Sequence, residues 1–206
     1  KSHLNGAIIG CKWSEGRWPG KGALSFERQN DRVRLNFHEK LPTVTLCSWI
    51  KIDKLQDNLS PILCSNNATS GSASWYVNGK GQVVLEVFRG SIKDTYQSAV
   101  AFRKERLGKW MHVVTTYDLG SKRVSHFVNG RPFSHEQIKG STPISFANSQ
   151  LGHFGKNSSL SKDIVLHGSV DEFVVLNTAS PESDIRRMYE IGCPYEMANS
   201  LGPKLP

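Results

Sequence analysis

The chain has 206 residues, with 26 Lys and Arg against 18 Asp and Glu for a formal net charge of +8. Its 38% hydrophobic and 21% charged content, with 18 Gly and 9 Pro, excludes a disordered or fibrous chain and suits one large all-β or α/β domain. No apolar run approaches the ~20 residues of a membrane-spanning helix, and the opening Lys1-Ser2-His3-Leu4-Asn5 lacks an initiator Met and an apolar signal core, as in an excised or processed piece.

Along the chain, Gly16-Arg17-Trp18-Pro19-Gly20-Lys21-Gly22 has the look of a phosphate-binding loop but is one residue short. It also ends in Gly where a Ser or Thr binds magnesium, and no strand–loop–helix context follows. Trp13 and Trp18 in this Gly-rich basic segment fit either packing or a surface role. Thr43 to Ile52 is β-branched and apolar on both faces, which predicts a central strand. Ser74 to Asn78, Gly79-Lys80-Gly81 and Gln82 to Arg89 predict a hairpin with a glycine turn. Trp110 to Asp118 and Arg123 to Val128 are two further strands, followed by the type I′ turn residues Asn129-Gly130. Ile164 to His167 and Gly168 to Leu176 supply two more. The one helical signature has Ser180 as cap, Pro181 in the first position, Ile185, Met188 and Tyr189 on one face and Gly192 as stop. Many strands against one short helix predict an all-β antiparallel sandwich or barrel over residues 1–193, with 194–206 as a tail.

Catalytic patterns are scarce. The 7 histidines form no H-E-x-x-H, no G-x-S-x-G elbow is present, and His112 and His126 alternate with apolar residues as face or core histidines do. A glycosidase built on one strand needs two carboxyls on one face, and the adjacent Asp171 and Glu172 are expected to point to opposite faces. Glu86 stands alone on its strand. Asp171 suits backbone N–H acceptance or one oxygen of a calcium site, with Asp31 in the Gln29-Asn30-Asp31-Arg32 turn as its candidate partner. A plain turn or salt-bridge carboxylate is the competing role for both.

Aromatics offer the better lead. Trp75 and Tyr76 follow the polar stretch Ser65 to Ser74, with Arg89 and Tyr96 on polar segments beyond. Aromatic rings beside Arg, Asn and Gln make up sugar-stacking or peptide-docking surfaces, so these residues are the predicted ligand site. Trp49, Trp110, Phe127 and Phe173 read as core, and packing is the competing and favoured role for Trp75.

The 4 cysteines, Cys11, Cys47, Cys64 and Cys193, have no zinc spacing. Cys11 and Cys193 flank the folded body, and Cys47 and Cys64 lie on successive apolar runs. The natural disulfide pairing is therefore 11–193 with 47–64, against the alternative of buried free thiols. Asn58, Asn67 and Asn157 open Asn-x-Ser/Thr sequons.

Several segments in order resemble laminin-G-like (LamG-like, concanavalin A-like lectin/glucanase) jelly-roll domains. They are Gly22 to Phe26, Asn30 to Leu35, Thr43 to Lys51, the W-x-H-V-x-x-x-Y-D strand Trp110 to Asp118, Val128-Asn129-Gly130, and Gly168 to Val175 with Ala179-Ser180-Pro181 and Ile185. The resemblance spans about Gly22 to Gly192. It implies a two-sheet jelly roll of about a dozen strands with one short closing helix, non-catalytic in most members, binding glycans or proteins. Some relatives bind calcium at the rim. Such domains occur in exported bacterial proteins, including regulators of the FecR type, and in animal pentraxins. A pentraxin acidic cluster is missing, and Cys47 resembles a pentraxin disulfide position whose partner strand here carries Val114.

The expected function is therefore an extracellular or periplasmic carbohydrate-binding module. A protein-interaction or FecR-type sensor ectodomain contacting an envelope protein is the alternative, and a glycan-cleaving enzyme is a third reading. The basic residues fall in small groups on different segments, many with acids beside them. No nucleic-acid stripe follows, and the charge gives weak support for an acidic glycan.

Overall fold

The computed structural model describes residues 6–155 and 164–193. The tail 194–206 and the Asn157 sequon lie outside the described residues. In chain order the first strands are β1 (Ala7–Ile9), β2 (Lys12–Glu15), β3 (Gly22–Phe26), β4 (Arg32–Leu41), β5 (Thr43–Ile52), β6 (Leu59–Ser65), β7 (Ala73–Asn78), β8 (Gln82–Arg89) and β9 (Ile92–Val100). There follow β10 (Trp110–Asp118), β11 (Arg123–Val128), β12 (Arg131–Gln137), β13 (Ile144–Leu151), β14 (His153–Phe154), β15 (Ile164–Val165), β16 (Gly168–Leu176) and the helix α1 (Glu182–Gly192).

The strands form two 7-stranded sheets, in the orders β1-β4-β13-β6-β7-β8-β9 and β12-β11-β10-β5-β16-β3-β2, plus the small hairpin β14-β15. All pairs of named strands are antiparallel. This is a jelly-roll sandwich, as expected. Its interior packs Leu46, Ile50, Trp75, Leu85, Val113 and Tyr117, all 0–1% exposed, from the facing sides of both sheets. Strand alternation sends Cys47 and Trp49 of β5 the other way, onto the outer face of the second sheet. There Cys47, Val114 and Phe127 pack beneath Ile185 of α1, which explains why β5 is apolar on both sides.

The Asn129-Gly130 turn forms as predicted, with φ of 50° and 72°. Gly130 has a second constraint, because a Cβ there would meet the Tyr189 side chain of α1 at 2.8 Å. The helix cap differs from the prediction by one position. Pro181 takes the cap place, and its carbonyl accepts from the Asp184 and Ile185 amides. Ser180 is drawn off into the second sheet, bonding Thr45 through both its hydroxyl and its amide.

The cysteine pairing does not form, and all four thiols are free. Cys47 packs on the outer face of the second sheet and Cys64 with Tyr76 and Val84 on the outer face of the first. The whole sandwich separates them, far beyond the reach of a disulfide. Cys11 sits between β1 and β2 with its thiol on the Ile9 carbonyl, while Cys193 ends α1.

Candidate functional site

Of the predicted ligand residues, the structure brings no group to a common surface. Trp75 is 0% exposed and points between the sheets, where its Nε1 donates to Thr115 Oγ1 at 2.8 Å and that hydroxyl lies 3.0 Å from His126 Nδ1. Tyr96 is also interior, edge-on to Tyr117 at 6.3 Å. Tyr76 faces outward but is buried, its hydroxyl donating to Glu86 Oε1 at 2.7 Å. Arg89 alone is open, and its Nε donates to Asp94 at 3.0 Å. Although Trp75 borders a polar stretch, β7 starts at Ala73 and its alternation fixes the indole on the interior side. Trp49 and Phe127 are buried as expected, while Trp110 and Phe173 are only half-buried.

The two carboxylates named for calcium are not brought together. Asp31 closes the turn before β4, its Oδ2 accepting the Glu27 and Arg28 amides at 3.0 and 2.9 Å. Asp171 lies on β16 against Arg17. Among the described residues no three His, Cys, Asp or Glu side chains are grouped to hold a metal ion.

The densest polar construction is one sequence reasoning missed. Arg17, in the loop between β2 and β3, is buried, with its side chain 0% exposed. Its Nε donates to Asp171 Oδ2 at 2.9 Å, its Nη2 lies 2.6 Å from Glu172 Oε2, and its Nη1 donates to the Gly192 carbonyl at the end of α1. A cation there complements the helix C-terminus. The Arg17 Cζ stands 4.6 Å from both the Trp18 and the Trp49 ring centroids. Trp49 in turn stacks on Tyr189 at 5.5 Å and lies 5.1 Å from His112. Lys21 completes the set, with Nζ 2.8 Å from Glu172 Oε1.

Asp171 and Glu172 therefore do not point to opposite faces. The register against β5 slips between Asp171 and Val174, and Glu172 adopts φ of 51°, so a bulge turns both acids toward Arg17. Burial alone would raise the Glu172 carboxyl. The Lys21 hydrogen bond and the charges of Arg17 and Lys21 outweigh it and hold the group below the usual carboxylate range. Beneath them, Cys47 Sγ is 3.2 Å from His112 Nε2. Burial first, then the Glu172 charge, pushes the thiol up to about 12. Burial and the Arg17 charge push the imidazole down to about 4. Both are neutral at pH 7, so the pair is an inert contact rather than a thiolate–imidazolium couple.

Two aromatics are exposed among the described residues, Trp18 over the clasp and Trp13 away from it. Trp13 on β2 is 70% exposed and Trp18 is 36% exposed. Trp13 pairs with Leu24 and shares its side of the second sheet, at the edge where no strand follows β2. Its ring lies against Gly22, where a Cβ would come within 3.3 Å of it. The glycine lets the indole lie along the strand edge while most of its surface stays open to solvent.

A family model described as the concanavalin A-like lectin/glucanases superfamily matches residues 27–186. The chain belongs to this superfamily. A search among curated proteins gave no match. Among solved structures, the binding domain of Paraclostridial Mosquitocidal Protein 1 superposes with a TM-score of 0.70 at 14% identity, covering 91% of this chain and 47% of that one. Botulinum neurotoxin type C, whose cell entry depends on interaction with two ganglioside molecules, gives 0.65 at 16% identity over 97% and 47%. A candidate carbohydrate-binding protein from Bacteroides ovatus gives 0.55 at 17% identity over 88% and 45%. The chain thus spans about half the length of these relatives. The superfamily match begins at Glu27, so Trp13, Arg17, Trp18 and Lys21 lie outside it.

Proposed function

We propose that this superfamily member is a non-catalytic carbohydrate-binding module of an exported protein, with Trp13 as its stacking platform. The observation that carries the reading is the 70% exposure of an indole on an edge strand. Soluble domains bury most of such a ring, and a pyranose offers the apolar C–H face that an open indole accepts. Solved relatives of the same fold include domains described as binding gangliosides or carbohydrate. Binding is favoured over cleavage at this site because the adjacent acids Asp171 and Glu172 are both engaged by Arg17 and Lys21. Neither is left to act as proton donor or nucleophile. The same pairing neutralises the Arg17 and Lys21 charges, so the overall +8 is not concentrated there.

The test is affinity electrophoresis and tryptophan fluorescence against neutral and acidic polysaccharides. Retardation by at least one of them, lost in Trp13→Ala but retained in Trp75→Phe, is the expected result. Binding unchanged in Trp13→Ala moves the site elsewhere, and the absence of retardation by any polysaccharide sinks the reading. Cell fractionation of the source protein tests export.

A further inference from the structure

The clasp around Arg17 has the composition of a binding site that already holds its ligand. Its walls are the indoles of Trp18 and Trp49, each 4.6 Å from the guanidinium carbon, with Tyr189 stacked behind Trp49. Its polar floor is the Asp171 and Glu172 carboxylates and the Gly192 carbonyl, which accept hydrogen bonds from Nε and Nη1 and place a Glu172 oxygen 2.6 Å from Nη2. The backbone is shaped to leave this room. A Cβ at Gly192 would stand 2.5 Å from Arg17 Nη1 and 2.8 Å from Trp49 Nε1, and the second carboxylate reaches the cation only through the left-handed Glu172. The occupant arrives on a short loop closed by two hydrogen bonds, Gly16 N to the Lys21 carbonyl and Lys21 N to the Trp18 carbonyl. Gly20 in that loop has φ of 84° and nothing within 4 Å of a would-be Cβ, so this turn of the loop faces open space.

We infer that this pocket is a guanidinium-recognition site, filled in cis by Arg17, which accepts an arginine side chain or small alkylguanidinium in trans when the Arg17 side chain alone is removed from it. A planar cation with donors on three nitrogens fits two carboxylates and a carbonyl between aromatic walls. A compact ammonium supplies the charge without the fork or the flat faces. The N-terminal arm is thereby a self-ligand, holding shut a site whose partner chemistry is arginine. The inference is independent of the carbohydrate reading, because Trp13 is no part of the pocket.

Arg17→Ala in the full chain is expected to lower the Tm by roughly 10 °C, the scale of a broken buried ion pair in a domain of this size. Methylguanidinium in the millimolar range should restore most of that loss saturably, quench or shift the Trp18 and Trp49 fluorescence, and leave the wild-type chain unchanged. Methylammonium at equal concentration should restore nothing. Equal restoration by both cations, or by neither, overturns the inference. Should Arg17→Ala fail to fold unaided, refolding from urea is the readout. Recovery only with methylguanidinium supports the site, and no recovery, or recovery with either cation, overturns it.

Discussion

Asp171 and Glu172 are consecutive in β16, yet both carboxylates reach the same guanidinium, at 2.9 and 2.6 Å. Strand geometry forbids this for a regular strand, and the bulge that permits it places Glu172 at φ of 51°. The position therefore favours glycine by its backbone and glutamate by its ion pair. Glu172→Ala should destabilise by about 1 kcal/mol through loss of a half-exposed pair, the left-handed backbone being strained with either residue. Glu172→Gly should cost less, because it relieves the strain. Urea denaturation of the two variants checks the order, and an alanine variant as stable as the glycine one would refute the bulge argument.

The Arg17–Asp171 pair is buried on both sides, so removing either partner strands the other. Arg17→Met and Asp171→Asn should each cost about 3–5 kcal/mol. The double variant should cost less than their sum, with a coupling of about 1–3 kcal/mol in a double-mutant cycle. Strict additivity would show that the pair contributes nothing as a pair.

His112 and His126 are both buried, which lowers each from 6.5 to about 4. A folded pKa below the unfolded value means that the unfolded chain binds more protons between those limits. The stability linked to each histidine is thus fully present above about pH 6.5 and is lost as the pH falls toward 4, by roughly 3 kcal/mol per histidine. The depressed Glu172 carboxyl adds a further loss as the pH falls below the ordinary carboxylate range and through its folded value. Denaturation free energies across pH 7 to 4 give the slope, and His126→Gln should lower it by one proton. An unchanged slope would mean that His126 is protonated in the fold.

Two tryptophans separate stability from binding. Trp75→Phe removes the Nε1 bond to Thr115 and shrinks a fully buried side chain, for an expected loss of about 2 kcal/mol. Trp13→Ala should alter stability by no more than about 0.5 kcal/mol, since its ring is mostly in solvent. Thermal melts of the two variants measure this contrast directly.

Thiol accessibility follows from the cysteine positions. Cys47 and Cys64 are 5% and 0% exposed, and burial raises both thiols, so a thiol reagent should leave them untouched in the native state and label them in urea. Native labelling of Cys64 would contradict its place beneath Tyr76.

The strands that sequence reasoning located are those with alternation or with a decisive turn. β5, β8, β10, β11 and β16 run between the residues expected, and Asn129-Gly130 turns with the conformation its side chains demand. β13 with its small polar residues gives no such signal, and β4 is marked only by the resemblance over Asn30 to Leu35, although Arg32 to Phe37 alternates polar and apolar. The site was less legible for a physical reason. Alternation assigns faces only while a strand stays regular, and β16 breaks at the residues that matter. Nothing local to Arg17 reveals that its partners lie more than 150 residues away. One clue was present: a glycine at 22 beside tryptophans at 13 and 18 marks a backbone that a ring can approach closely.

The Arg17 side chain also has a mechanical consequence. It joins the loop after β2 to Gly192, the last residue of α1, and among the described residues the arm that carries it is also held by the short pairings of β1 and β2, by the Lys21–Glu172 ion pair and by Arg28 on the Gly10 carbonyl. Tension applied between that arm and the end of α1 would load the edge pairings of β1 and β2 first and this one guanidinium next. The clasp is then a second catch behind the two edge strands: it keeps the arm tied to the helix after they have peeled away, and its release lets go of both at once.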